Sequence, residues 1–234
     1  MISVIIPTLN AEQDLAGTLS ALVPAVIEGL VREVIIVDGG STDQTLKIAD
    51  QSGGIILKTA ANRGAQLKMG AKAAKFQWLL FLHADTVLSP GWEAEVASFI
   101  EKIESGRRAP QAAAFRFALD DDGFAPWVVE KFVGFRSSLL GLPYGDQGLL
   151  ISRQLYGELG EHKELPLMED VDIVRRIGRR RISVLRSQAI TSAVRYRDEG
   201  YTKRIARNQT CLVMYFMKTP LSRIANFYRS QSAD

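Results

Sequence analysis

Short runs of β-branched and apolar residues alternate with longer segments of helical periodicity, and this rhythm limits the chain to few architectures. Ile2 to Ile6 is followed by a helical pattern from Glu12 to Leu30, and Glu33 to Val37 by one from Thr42 to Gln51. Gly54 to Leu57 precedes Gly64 to Lys75, and Trp78 to Leu82 precedes Pro90 to Glu104. Strand and helix repeating in this way make right-handed βαβ units, which pack helices on both faces of a mainly parallel sheet. Ligands of such sheets bind beyond the carboxyl ends of the strands. The loops after Ile6, Val37, Leu57 and Leu82 are therefore the places to look for chemistry.

After Pro110 the rhythm changes. Strands are expected at Ala112 to Ala118, Gly148 to Ile151, Ile182 to Leu185 and Ala189 to Val194. Helices are expected at Phe124 to Leu140, Asp170 to Arg179, Thr202 to Met217 and Leu221 to Tyr228, with Pro220 separating the last two. With 234 residues, 47% of them apolar and 24% charged, the chain is long enough for one α/β domain with an appendage. The expected division is a domain over residues 1–198, in two halves at 1–110 and 111–198, and basic amphipathic helices over 199–234. The second substrate's specificity pocket is expected in the stretch from Phe115 to Tyr144.

Charge is unevenly spread. Residues 1–174 carry 15 basic and 23 acidic side chains, and residues 175–234 carry 14 and 3, for net charges of −8 and +11. A basic end suits phosphates, anionic head groups or nucleic acid, or is simply a solvated face. Cys211 is the single cysteine, so no internal disulfide can form and a reducing compartment is suitable. No signal peptide is read at the N-terminus, and apolar runs such as Cys211 to Met217 fall short of the about 18 residues that span a bilayer. The expected location is the cytoplasm, with the inner face of the membrane as an alternative.

The motifs exclude two common nucleotide sites and suggest a third. Pro7-Thr8-Leu9-Asn10-Ala11-Glu12 after the first strand has none of the glycines of a dinucleotide turn, and no Gly-x-x-x-x-Gly-Lys phosphate loop exists anywhere. Asp38-Gly39-Gly40-Ser41-Thr42-Asp43-Gln44 follows the second strand. Ser41 and Gln44 have the spacing of a capping box, which leaves Asp38 available for a base N–H or a ribose hydroxyl. His83-Ala84-Asp85 ends the fourth strand, where residues two apart face the same way. Carboxylate oxygens joined by diphosphate oxygens suit Mg²⁺ or Mn²⁺. Gly145-Asp146-Gln147-Gly148 offers a carboxylate and an amide for sugar hydroxyls, or a purely structural turn. Arg175, Arg176, Arg179, Arg180 and Arg181 cluster near an expected helix, where one or two could neutralise a diphosphate.

In combination these motifs, with Asn62-Arg63-Gly64 and Glu169-Asp170, resemble the family 2 glycosyltransferases of the GT-A fold over roughly the first 180 residues. The resemblance implies that Pro7, Thr8, Glu12, Arg63 and Ala84 line a nucleotide site and that Asp38 reads the base. It implies that Asp85 holds a Mn²⁺ or Mg²⁺ ion, with His83 standing where the family's Asp-x-Asp has its first carboxylate. A subgroup associated with radical-SAM or selenium-related genes is similar in its His-Ala-Asp and in a tail like Asn208-Gln209. Transfer to a hydroxyl needs a general base, and the resemblance puts Asp170 there, with Glu169 as neighbour or substitute. Gly145, Asp146 and Gln147 would meet the acceptor.

The expected activity is metal-dependent transfer of a sugar from a nucleoside diphosphate sugar to the hydroxyl of a small molecule or lipid, with inversion. A sugar-nucleotide pyrophosphorylase would need a basic glycine-rich loop after the first strand, which the sequence does not show, and a non-catalytic nucleotide-binding module is a further alternative. Nucleic acid is not expected as a partner. The C-terminal helices are expected to pack on the domain, to form a homodimer, or to lie in a membrane interface.

Overall fold

A computed structural model describes residues 1–230. The first strands are β1 (Ile2–Thr8), β2 (Val31–Asp38), β3 (Ile55–Lys58) and β4 (Trp78–Phe81). They pair in parallel, in the order β3-β2-β1-β4. Thr8 stands opposite Asp38, Asp38 opposite Lys58, and Ile5 opposite Phe81, so all four carboxyl ends meet one edge. The sheet continues through β7 (Leu149–Ser152), β6 (Ala112–Leu119), β8 (Ile182–Thr191) and β5 (Thr86–Leu88). β7 runs antiparallel to both β4 and β6, so the turn leading into it starts at that edge, and β6 and β8 end there.

Alternate residues of each strand serve opposite faces. On one face Val4, Ile6, Leu80 and Phe115 pack with Leu15 of α1 (Leu15–Ser20) and with Trp92, Val96 and Phe99 of α5 (Trp92–Glu104). On the other, Ile5, Val37, Leu79 and Ile151 pack with Leu67 and Ala71 of α4 (Arg63–Ala73) and with Ile173 and Val174 of α8 (Glu169–Ile177). Two such faces make a three-layer α/β domain.

Several elements differ from the sequence reading. The long helix from Glu12 resolves into α1 and α2 (Val23–Ile27), the second carrying Pro24 in its first turn, where a missing N–H costs nothing. The helix α3 (Thr45–Gln51) begins three residues later than expected. Ile182 to Thr191 is one strand, with a register shift against Ala114 to Arg116 that keeps β8 continuous. The three-residue β5 and the six-residue α7 (Arg153–Glu158) are too short to give a periodic signal. The remaining helices are α6 (Phe124–Leu140), α9 (Val194–Glu199), α10 (Tyr201–Phe216) and α11 (Leu221–Ser230).

Candidate functional site

The corner where β1 and β2 end is built by side chains bonding across two loops. Asp38 is 1% exposed. Its Oδ1 accepts from the hydroxyls of Ser41 (2.5 Å) and Thr8 (3.1 Å), and its Oδ2 accepts from the N–H groups of Gly40 and Ser41, both 2.9 Å. Burial raises the Asp38 pKa, but these four bonds outweigh it and hold the carboxyl below its ordinary value. The carboxylate lies beneath the cleft with its acceptor positions used, away from the lining where a base reader would stand.

Glu12 is also off the lining: its Oε2 accepts from Gln44 N–H (2.9 Å), while its own N–H donates to Asp43 (3.1 Å). The capping box is absent. Gln44 is the N-cap with no side-chain bond, Asp43 accepts from Thr45 N–H, and the Ser41 hydroxyl donates to Asp38. Buried Gln66, which no sequence pattern singled out, donates to the carbonyls of Thr8 (2.9 Å) and Val37 (2.8 Å) and ties the two strand ends together.

Beyond β4 the backbone of His83-Ala84-Asp85 is held on both sides. Thr18 donates to Ala84 O (2.7 Å), Ser192 N–H to Asp85 O (3.1 Å), and Leu82 N–H to Ile5 O (3.0 Å). With the main chain fixed, the side chains face the cleft. Asp85 Oδ1 is buried and accepts no hydrogen bond, and His83 Nδ1 stands 3.9 Å from it. Burial, and then the nearby Arg63 charge, pull the His83 pKa down to about 4, so the imidazole is neutral near pH 7. Asp14 joins this group: its pKa is raised by burial and by the charge of Asp85. A buried carboxylate oxygen without a donor is costly, and a cation placed against it would offset that cost.

The opposite wall is the turn before β7. A Cβ added to Gly145 would stand 2.6 Å from His83 Nε2 and 3.4 Å from Asp170 Oδ2, so the glycine lets these two groups approach. Asp170 accepts from the N–H groups of Gly145 (2.9 Å) and Val171 (2.7 Å), which aim its carboxylate. Glu169 is 4% exposed, with Arg63 Nε 3.7 Å away. Burial and the charge of Asp170 push its pKa up to about 7.

Asp146 lines the cleft with a buried Oδ1 that lacks a donor, and burial lifts its pKa to about 6. Gln147 has a different placement from the expected acceptor contact. It is 1% exposed, its amide donates to Phe115 O (2.9 Å) and its carbonyl accepts from the Ser137 hydroxyl (2.7 Å).

The cleft has a volume of about 480 Å³. Pro7, Thr8, Ala84 and Asp85 stand on one side, and Arg63, Glu169 and Asp170 on another. The third wall is not the stretch from Phe115 to Tyr144, of which, among the described residues, Tyr144 alone reaches the lining. It consists of Arg195, Tyr196, Arg204, Asn208 and Tyr228, from α9, α10 and α11. β8 ends at the site edge and delivers these helices there, an outcome of sheet order that local sequence does not reveal. Of the five clustered arginines, none lines the cleft: Arg175 lies over the rings of Tyr215 and Phe216, and Arg176 pairs with Asp172 at 2.6 Å.

Residues 3–128 match the family model of glycosyl transferase family 2. A PGL/p-HBAD biosynthesis glycosyltransferase of Mycobacterium tuberculosis is 36% identical over 126 residues, 44% of this chain and 43% of that protein. The Staphylococcus aureus poly(ribitol-phosphate) beta-N-acetylglucosaminyltransferase TarS is 31% identical over 110 residues, 44% of this chain and 19% of that one. The chain thus spans less than half the length of these curated relatives.

Among solved structures, S. aureus TarS 1–349 in complex with UDP-GlcNAc superimposes with a TM-score of 0.62 at 21% identity, over 81% of this chain and 58% of that one. Glucosyl-3-phosphoglycerate synthase of M. tuberculosis, in complex with Mn²⁺, UDP and glucosyl-3-phosphoglycerate, gives 0.55 at 21% identity, over 82% and 70%. These likenesses show the GT-A fold.

Proposed function

The chain belongs to glycosyl transferase family 2, and from that premise we propose that its cleft moves a sugar from a nucleoside diphosphate sugar to an acceptor hydroxyl, with Asp170 as the base. The observation that carries this reading is the convergence of Asp85, with its unpartnered buried oxygen, and the anchored carboxylate of Asp170 on one cleft. Pro7 and Thr8 bound the nucleotide end. Asp38 acts there from behind, by fixing the Thr8 and Ser41 hydroxyls.

Asp85 and neutral His83 offer one oxygen and one nitrogen donor to a divalent cation. Among the described residues no three His, Cys, Asp or Glu side chains gather closely enough to hold a metal by themselves, so donor diphosphate oxygens would complete the shell. This pair is the His-Ala-Asp variant of the family's acidic metal motif. Mn²⁺ or Mg²⁺, when bound, would neutralise the diphosphate and favour its departure.

Arg63 lines the same cleft and opposes the charge that develops on the leaving group. Asp170 takes the proton of the acceptor hydroxyl as that oxygen bonds to the anomeric carbon and the bond to the diphosphate breaks. A single displacement inverts the configuration. Asp146, half-buried and poised to gain a proton near pH 6, meets sugar hydroxyls.

A thermal-shift panel of UDP, GDP, CDP and TDP, each with and without Mn²⁺, tests donor and metal together. UDP heads the panel because two of the structural neighbours bind UDP or a UDP-sugar. Mn²⁺-dependent stabilisation by one nucleotide is expected, to be lost in Asp85→Ala. Asp170→Asn should keep that stabilisation while transfer falls by about 10²- to 10⁴-fold. Equal stabilisation in the presence of EDTA would remove the metal from the proposal, and full transfer by Asp170→Asn would remove the base.

A further inference from the structure

Where α10 and the turn before β7 border the cleft, the wall carries polar atoms for which the described residues supply no partner. Oδ1 of Asp146, the hydroxyl of Tyr144 and Nε of Arg204 are all buried without a hydrogen bond, and all three residues line the cleft. Their neighbours hold them in place. The Arg136 guanidinium, on a residue 4% exposed, lies 3.2 Å from the centre of the Tyr144 ring. Arg204 Nη1 donates to Glu199 Oε1 at 3.0 Å, and its guanidinium rests 4.8 Å over the Tyr196 ring. The Thr191 hydroxyl donates to the Asp146 carbonyl at 3.3 Å and fixes the main chain there. Buried polar groups without partners keep their desolvation penalty, so three of them on the wall of one cleft call for a ligand that satisfies them.

The mixture of donors and acceptors selects the chemistry of that ligand. An alkyl chain or an aromatic ring placed here would leave Asp146 and Arg204 without partners. A phosphate or carboxylate offers acceptors alone, and Asp146 would repel it. Five carboxylates to three guanidinium groups line the cleft, so an anionic acceptor finds no surplus of positive charge. A hydroxyl gives one hydrogen bond and accepts two, and so serves the Asp146 carboxylate and Arg204 Nε alike. Several hydroxyls on one carbon frame serve all three atoms at once. Tyr196 and Tyr228 of the same wall add the apolar bodies of their rings, and Asn208 adds an amide that both donates and accepts. We propose that the acceptor is itself a carbohydrate, a sugar or polyol whose hydroxyls bond Asp146, Tyr144 and Arg204, and not an aliphatic alcohol or a phenol. The proposal rests on reading the cleft as a transfer site, and direct binding tests it apart from turnover.

The full chain, with Mn²⁺ and with or without UDP, is examined by saturation-transfer NMR. The probes are the methyl glycosides of glucose, galactose, mannose, rhamnose and N-acetylglucosamine, together with ribitol, 1-hexanol and 4-methylphenol. Saturation transfer to at least one glycoside or to ribitol is expected, and none to the hexanol or the phenol. Tyr144→Phe removes a hydroxyl that bonds nothing, and Asp146→Asn keeps the shape of the carboxylate, so both should fold. Affinity for the bound polyol should fall about threefold to tenfold in the first and about tenfold to a hundredfold in the second. Binding that neither variant weakens would overturn the inference, and so would preferred binding of the hexanol or the phenol. Absence of binding by every polyol would overturn it too; if UDP with Mn²⁺ still stabilises the chain, the transfer reading stands without it. Polyol binding that both variants weaken, with no response to any nucleotide, would keep the carbohydrate site and remove the transfer reading.

Discussion

At the start of α8 two adjacent carboxylates stand in different surroundings, and the difference determines what each can do. Asp170 is oriented by two backbone N–H groups at the cleft surface, whereas Glu169 is buried beside it with its pKa pushed up to about 7 by burial and by the charge of Asp170. A folded value above the unfolded 4.5 means that the native state favours the protonated form. The stability this contributes is complete below pH 4.5 and is lost as pH rises through about 7. Glu169→Gln removes the ionisation. Its loss of the Arg63 pair costs little, because that guanidinium is 48% exposed. The variant should therefore exceed the parent in stability by about 1 to 3 kcal/mol at pH 8 and match it at pH 4. Urea unfolding at both pH values measures this, and parallel pH profiles would show that Glu169 ionises freely in the native state.

At the scale of elements, glycines show how closely the layers approach. Gly70 lies within α4 against the sheet, where a Cβ would overlap the side chain of Ile5 and come within 3.1 Å of Val37 Cγ2, whereas one on Gly134 within α6 would meet nothing within 4 Å. Gly70→Ala should cost about 1 to 3 kcal/mol by forcing α4 off β1 and β2. Gly134→Ala should gain about 0.5 to 1 kcal/mol from helix propensity and a less flexible unfolded chain. Calorimetry of the two variants separates them, and a shared sign would mean that the layer spacing adapts. The same layering explains what the sequence revealed. β1 and β4 are buried along their whole length and β2 over its last four residues, and each runs into its end through apolar residues, so the polar ends, Thr8, Asp38 and His83 to Asp85, stood out. Gln66 was hidden because its role is to join two carbonyls that approach only after β1 and β2 pair. β5 was hidden because three residues carry no period. The Asp38 turn suggested a ligand contact, but a carboxylate at a strand end can equally satisfy its own loop, and pattern alone does not distinguish the two.

For the molecule as a whole, the cleft joins two parts of different origin. The side proposed for the nucleotide is made by strand ends and loops within residues 3–128, the part that matches the family. The far wall is made by α9 to α11, held together by Arg207, which is 3% exposed, 2.6 Å from Glu199 of α9 and stacked 4.5 Å over Tyr228 of α11. Removing one partner of a buried ion pair costs several kcal/mol because the other keeps its desolvation penalty, although Arg204, 3.0 Å from Glu199, limits that penalty here. Arg207→Ala should therefore loosen the wall by about 2 to 4 kcal/mol without unfolding the sheet. Hydrogen exchange would show it as faster exchange of α10 and α11 amides with β1, β2 and β4 unchanged. Because Thr8, Asp85 and Arg63 lie outside that wall, nucleotide stabilisation with Mn²⁺ should persist, while transfer to acceptor falls through a higher acceptor KM. Equal loss of nucleotide stabilisation would place α9 to α11 in the donor site and leave the acceptor to another face of the cleft.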